Sequence, residues 1–383
     1  MKKYWAVLIF VLVVAMVFAA AGCKRPEVAE KVKKKEIVLV NHTSLTGGLA
    51  DYGFAAKTAV ELAVKDFGPF KAGGNEYSIK LISLDDKGDQ AESAIVAQNA
   101  VDKGATAVIG CLTSGNTNAA LPIYEKANIP MISPSATRPD LTDVGHKNFF
   151  RTCLRDDLQG EVLGKWAVDL GFKKVTVMDD KGDYAVALGD VVEKTLKDNG
   201  VQVQREHTVE KEVDFSAQIS NIKGFGSEAV IYTGYHREAG LMRKQMVEAG
   251  MKSVKFMGGD GIKSEEIFKE AGGNENAEGL MCTFGLDRGA MAGYEEFKDK
   301  YEKKTGKEPG PYAENAYDIV GILVAAIKKA GTTDGQSIID ALHEIDYNGV
   351  LGKFSFNEKG DIKIEGGISK FEAKDGKWVA VKE

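Results

Sequence analysis

Cysteine is scarce in this chain of 383 residues, which holds only Cys23, Cys111, Cys153 and Cys282. Beyond Cys23 the number is odd and the spacing wide, which excludes a disulfide framework and the paired spacings of a zinc site. Small buried thiols are expected instead. Histidine is nearly as rare: His42, His146, His207, His236 and His343 form no H-E-x-x-H or other metal spacing. No metal and no other cofactor is therefore expected. An excess of basic residues is missing too. The formal net charge is −6, and a mildly acidic chain lacks the positive footprint that nucleic acid requires. Sequence repeats and low-complexity stretches are absent, and no G-x-S-x-G elbow surrounds a serine. Without a nucleophile, base or metal constellation, no enzyme is expected.

What is present begins at the amino terminus. Lys2 and Lys3 precede an uncharged run from Tyr4 to Gly22, which meets Cys23 through Ala20, Ala21 and Gly22. A positive start, an apolar run and small residues at the cut mark residues 1–22 as a secretory signal peptide. Gly22-Cys23 is similar to a bacterial lipobox, which implies that Cys23 is lipidated and holds the mature chain to a membrane. An uncut anchor and ordinary cleavage after small residues are the alternatives. Under each, the rest of the chain works outside the cytoplasm, in a periplasm or at the cell surface. Residues 23–35 are charged and aperiodic, the composition of a flexible tether.

From Glu36 onward, short β-branched runs alternate with amphipathic stretches. Strands are expected at 37–40, 78–84, 105–110, 129–133, 148–152, 174–178, 201–204, 228–233, 254–258 and 279–284. Helical periodicity fills most of the gaps, as in 52–67, 91–103, 159–170, 185–199 and 237–249. Such alternation predicts an α/β fold of mostly parallel sheets. Ten strands divide naturally into two doubly wound lobes near Cys153. Helices over 294–304, 313–330 and 336–345 then lead to a strand at 350–356, with turns at YNG (347–349) and EKGD (358–361).

In open parallel sheets, ligands bind beyond the carboxyl ends of strands, where helix N-termini present unpaired N–H groups. One such loop, GCLTSGNT (110–117), differs from a phosphate loop by Asn116 in the lysine position. It lacks the charge that reaches outer phosphates, yet Thr113, Ser114 and the helix dipole suit a carboxylate; a plain helix cap is the alternative. A second loop brings Ser135 and Thr137. In the second half, Asp260 in GGDG (258–261) can meet an ammonium, or serve only its own turn. Donors on one side and an acid on the other fit a zwitterion.

LTGGLADYG (45–53), VIGCLTSGNT (108–117), MISPSATRPDLT (131–142), DDKGDYAVAL (179–188), YTGYHREAG (232–240) and FMGGDG (256–261) occur in order across the chain. Together they resemble the leucine/isoleucine/valine-binding proteins, the substrate-binding subunits of branched-chain amino acid ABC importers. The resemblance implies a type I periplasmic binding protein fold, two Rossmann-like lobes hinged by three crossovers. Residues 36–154 plus 284–348 would form the N-terminal lobe, and 155–283 plus 349–383 the C-terminal lobe. It also implies site roles: Ser114 and Thr137 for an α-carboxylate, the Ser135 carbonyl and Asp260 for an ammonium, and Tyr235 closing from the second lobe. Tyr52, Thr113 and Tyr184 would face the ligand's side chain. Asp260 stands where glutamate is frequent, and Gly88 replaces a cysteine of the family's disulfide. Thr113 and Ser135 are more polar than in leucine-preferring members, which argues against purely aliphatic specificity. The implied function is capture of an amino acid for delivery to ABC permease subunits. A small amide, urea or aromatic acid as ligand, or a sensory role, are the alternatives.

Overall fold

The computed structural model describes residues 32–382. The expected signal peptide, Cys23 and the expected tether up to residue 31 lie outside the described residues. The tether ends sooner than expected, because strand β1 already starts at Lys33.

The first sheet has six strands: β1 (Lys33–Thr43), β2 (Phe70–Ala72), β3 (Asn75–Asp85), β4 (Ala107–Gly110), β5 (Met131–Ser133) and β6 (Phe149–Arg151). Their order is β2-β3-β1-β4-β5-β6. β1, β4, β5 and β6 run parallel, with Leu39 opposite Ala107 and Val108 opposite Met131. The second sheet holds β7 (Lys174–Asp179), β8 (Gln202–His207), β9 (Ala229–Tyr232), β10 (Lys255–Gly258) and β11 (Met281–Phe284), all parallel. The antiparallel pair β15 (Ser369–Lys374) and β16 (Lys377–Ala380) extends it beyond β11. Helices cover both sheets because the crossover between parallel neighbours must pass over a face.

Leu39, Ile109 and Ile132 point into one core with Val320, Leu323 and Ile327 of the long helix Ala313–Ala330. Each such side chain contributes roughly 1.5–3 kcal/mol by leaving water. The chain therefore returns to the first lobe after β11. A small antiparallel sheet, β12 (Asp346–Gly349), β13 (Gly352–Phe356) and β14 (Ile362–Ile364), belongs with that lobe as well. This corrects the expected assignment of 349–365 to the second lobe: Phe354 and Phe356 are buried in the first core, and Phe356 lies 5.1 Å from Phe150. Nearby, fully buried Arg151 pairs with Asp361 at 2.7 Å. By sheet membership the chain passes between the lobes at 152–155, 285–290 and 365–368. YNG is the end of β12, not a turn, since Gly349 pairs with Gly352.

Gly53 shows why LADYG carries a glycine. A Cβ there would sit 1.7 Å from the Ser44 carbonyl oxygen, so the helix Ala50–Phe67 can lie against the end of β1 only without a side chain. That close approach carries Tyr52 toward the cleft.

Candidate functional site

The loop after β4 forms the first wall. Thr113 is the N-cap of the helix Ser114–Lys126, its hydroxyl accepting from the Asn116 amide at 3.1 Å. The Ser114 and Gly115 amides belong to the first turn, which leaves its donors without helical acceptors. The Ser114 hydroxyl accepts from the Arg138 amide at 3.2 Å, which ties this loop to the one after β5. On that second loop the Ser135 hydroxyl donates to the Leu112 carbonyl at 2.6 Å. Two of the hydroxyls expected to make the pocket polar are therefore engaged by the backbone beside them.

The opposite wall is built around Asp260, which begins a short 3-10 turn directly beyond β10 and is 4% exposed. Tyr184, in the helix Asp183–Asp198, donates to its Oδ1 at 2.9 Å. Tyr312 donates to its Oδ2 at 2.6 Å. Burial pushes the Asp260 carboxyl above the usual carboxylate range, and the Tyr312 and Tyr184 hydroxyls oppose that by favouring the charged form. Tyr235 caps the helix His236–Glu248 and stacks at a tilt on Tyr184, 5.3 Å between ring centres.

Between the walls lies a small cavity lined by Tyr52, Thr113, Ser114, Ser135, Tyr184, Tyr235 and Asp260 together with Leu49, Leu112, Gly261 and Tyr312. Seven of the eight residues expected to bind ligand thus meet around one space. The eighth, Thr137, does not line it. Thr137 is buried behind the wall, its carbonyl accepting from the Asp156 amide at 3.0 Å and its hydroxyl beside the Asp156 carboxyl. The residues that sequence reasoning missed include Tyr312, Gln159 and Asp156. Tyr312 sits at φ 60° just before the long helix Ala313–Ala330 and reaches Asp260 from the other lobe. Gln159 accepts from the Asp260 amide at 3.4 Å. In fully buried Asp156, burial followed by the neighbouring Asp260 charge raises the carboxyl well above the usual range, a shift that the Thr137 hydroxyl opposes.

The lobes are closed on each other. The Tyr52 hydroxyl lies 3.2 Å from the Asp260 and Lys263 carbonyl oxygens, its ring stacks on His236 at 5.4 Å, and Ser264 donates to Asp51 at 2.6 Å. Arg138 pairs with Asp183 at 2.8 Å across the mouth. An outer chamber shares Leu49, Thr113, Tyr184 and Tyr235 with the inner cavity and adds Asp180, Glu210 and Glu238. Burial pushes Asp180 up to about 7, and the nearby Glu210 and Glu238 charges add to that shift.

Cys111, Cys153 and Cys282 are free and buried. Among the described residues no helix is long and apolar enough to cross a membrane.

Residues 37–377 match the periplasmic binding protein family. The chain is 38% identical over 342 residues to the Leu/Ile/Val-binding protein homolog 1 of Brucella abortus (strain 2308), covering 87% of this chain and 90% of that one. It is 34% identical over 326 residues to the leucine-, isoleucine-, valine-, threonine- and alanine-binding protein of Pseudomonas aeruginosa, covering 83% and 85%. The crystal structure of the branched-chain amino acid transporter substrate-binding protein LivJ from Streptococcus pneumoniae, in complex with isoleucine, is 30% identical. It superposes with a TM-score of 0.78 over 91% of this chain and all of that one. The two lobes and their crossovers are thus the type I periplasmic binding protein fold, and the chain belongs to the periplasmic binding protein family.

Proposed function

We propose that this protein is an extracytoplasmic solute-binding lipoprotein that captures an α-amino acid between its lobes and presents it to an ABC import permease. The observation that carries this reading is the pairing of unlike walls across the inner cavity. Asp260 is a buried carboxylate whose two tyrosine donors leave further lone pairs for an ammonium. Facing it, the loop at Thr113–Ser114 offers first-turn amides to a carboxylate. Ser135 lines the same space, and its carbonyl is suited to a second ammonium contact. Thr137 is left out of direct contact.

Closure follows from electrostatics. Burying Asp260 without a cation is costly, and an ammonium brought in by the ligand offsets that cost only in the closed state. Ligand therefore shifts the population toward closure, the shape a permease would read. Tyr52, Leu112 and Tyr235 leave an apolar surface for the side chain. Because the Ser135 hydroxyl already donates to the Leu112 carbonyl and the Thr113 oxygen already accepts from the Asn116 amide, an aliphatic ligand strands no donor at Ser135 and no acceptor at the Thr113 cap. This supports a branched-chain or similarly small side chain, in keeping with what the relatives' names state of those proteins. The anchor through Cys23 rests on the sequence.

The test is calorimetric titration of a soluble chain beginning at Val32, unfolded and refolded to strip ligand, against the amino acids, short amides, urea and benzoate. One-to-one binding of an aliphatic amino acid, weakened at least a hundredfold by Asp260→Ala, is expected. Silence toward every amino acid with binding of an amide or organic acid would remove the roles given to Asp260.

A further inference from the structure

Behind the loop that forms the first wall, the side chains of His42, Asp86 and Cys111 meet inside the first lobe. They come from the end of β1, the residue after β3 and the residue after β4. All three are 0% exposed. One nitrogen, one carboxylate oxygen and one sulfur lie within 4.8 Å of one another. His42 Nε2 is 3.5 Å from Asp86 Oδ2. The Ser93 hydroxyl supplies a fourth corner, 3.2 Å from His42 Nε2 and 3.6 Å from Cys111 Sγ. A tetrahedral zinc ion with bonds of about 2.0–2.3 Å to nitrogen, oxygen and sulfur holds its ligand atoms about 3.3–3.6 Å apart. The His42–Asp86, His42–Ser93 and Ser93–Cys111 edges are close to those of such a site, and Cys111 lies within 4.8 Å of the other two ligand atoms.

A second observation points the same way. Asp86 Oδ1 accepts from the Ser44 hydroxyl at 2.6 Å and the Gly88 amide at 3.0 Å. Asp86 Oδ2, on the side facing His42, is buried with no hydrogen-bond partner. An orphaned carboxylate oxygen in a core is costly unless a cation meets it. The ring of His42 is also oriented from behind, its Nδ1 lying 2.9 Å from the Tyr124 hydroxyl oxygen. An outer partner of this kind fixes the tautomer that leaves Nε2 for a metal.

We infer that His42 Nε2, Asp86 Oδ2, Cys111 Sγ and Ser93 Oγ hold a structural Zn²⁺ ion. Mixed nitrogen, oxygen and sulfur donors select zinc over calcium or magnesium, which take oxygen ligands. Four protein ligands leave no open position, so the site is structural and not catalytic. Coordination replaces the S–H bond of Cys111 by an S–Zn bond and releases that proton to solvent. With every residue of the cluster buried, the ion enters as the lobe folds. It then clips the ends of β1, β3 and β4 together beneath the ligand loop, to which Ser93 is already tied through the Asn116 carbonyl at 2.9 Å. The inference is independent of which solute the cleft takes.

Elemental analysis of the full-length chain, purified in detergent from zinc-replete cells, tests this, together with absorption spectra after unfolding in chelator and refolding with Co²⁺. About one zinc per chain is expected. The cobalt form should show visible ligand-field bands and a near-ultraviolet thiolate charge-transfer band. Cys111→Ser should abolish the charge-transfer band and weaken zinc binding more than about a hundredfold, beyond the loss of an outer-shell partner. Cys153→Ser, a buried thiol outside the cluster, should change neither. Less than about a tenth of an equivalent of metal in the wild type, with no cobalt bands, overturns the inference. So does wild-type stoichiometry with an unchanged spectrum in Cys111→Ser. If Cys111→Ser fails to refold, the wild-type metal content and spectrum decide alone.

Discussion

Replacing Tyr312 by phenylalanine removes one hydroxyl and little else, because the ring keeps its contact with Phe284 at 4.7 Å. The lost group is the 2.6 Å donor to Asp260 Oδ2, leaving Tyr184 as the only side-chain hydroxyl on that carboxylate among the described residues. A hydrogen bond to a charged group contributes about 1.5–3 kcal/mol. Part of this returns when the less satisfied carboxylate binds the ammonium more strongly, so the net loss in amino acid affinity should be about 10-fold to 100-fold. The variant should also differ in pH dependence. Asp260 must be ionised to meet an ammonium, its carboxyl is already raised by burial, and the Tyr312 and Tyr184 hydroxyls oppose that shift. Removing one of them moves the folded value further up. Binding is lost as pH falls through that value, so the loss should begin at higher pH in Tyr312→Phe than in the wild type. Calorimetric titration between pH 5 and pH 8 measures both effects. Affinity within twofold of wild type and an unshifted pH profile would refute the reasoning that Tyr312 holds Asp260 charged for a ligand.

Three further expectations concern the frame around the cleft. Arg151→Met leaves the buried Asp361 with the longer 3.2 Å contact to Arg155 as its nearest cation, beside the Thr142 hydroxyl at 2.9 Å and the Asn357 side-chain amide at 3.3 Å; a loss of about 3 kcal/mol in denaturant titration is expected, and a loss below about 1 kcal/mol would show the pair to be dispensable. Gly53→Ala drives a Cβ onto the Ser44 carbonyl and should cost at least about 1–3 kcal/mol, read as a lower melting temperature; an unchanged melt would mean the helix can shift away freely. Asp180 is raised to about 7 by burial, so the folded state holds its proton more tightly than the unfolded state, and stability contributed by this group is lost as pH rises from about 4 to about 7. Asp180→Asn should therefore stabilise the protein at pH 8 by an amount on the order of 2 kcal/mol, with little effect near pH 4; equal stability of the two proteins at pH 8 would contradict it.

Much of the fold could be read from local pattern. The β-branched runs at 105–110, 174–178 and 254–258 became β4, β7 and β10 within two residues at either end, because parallel strands buried on both faces leave a continuous apolar signal. The helix cap at Thr113 was equally visible, since an N-cap hydroxyl acts within three residues of itself. The tail was misassigned where local pattern says nothing of partner. VLGKFSF (350–356) reads as a strand in either lobe, and only the contact of Phe356 with Phe150 and the Arg151–Asp361 pair assign it to the first.

By itself the sequence determined the alternation of strands and helices, the loops after the strands and the chemical types gathered there: hydroxyls and a capped helix on one side, Asp260 on the other. These are consequences of spacing along a single element, so they survive without knowledge of neighbours. Tertiary structure alone decided that Tyr312 reaches Asp260 from the other lobe, that Thr137 turns away from the cavity, and that the Ser135 hydroxyl is consumed by the Leu112 carbonyl. It also decided that His42, Asp86 and Cys111 share one buried point. Each of these depends on which strand ends lie side by side in the sheet, and the crossovers of a doubly wound fold bring together residues that no sequence spacing connects.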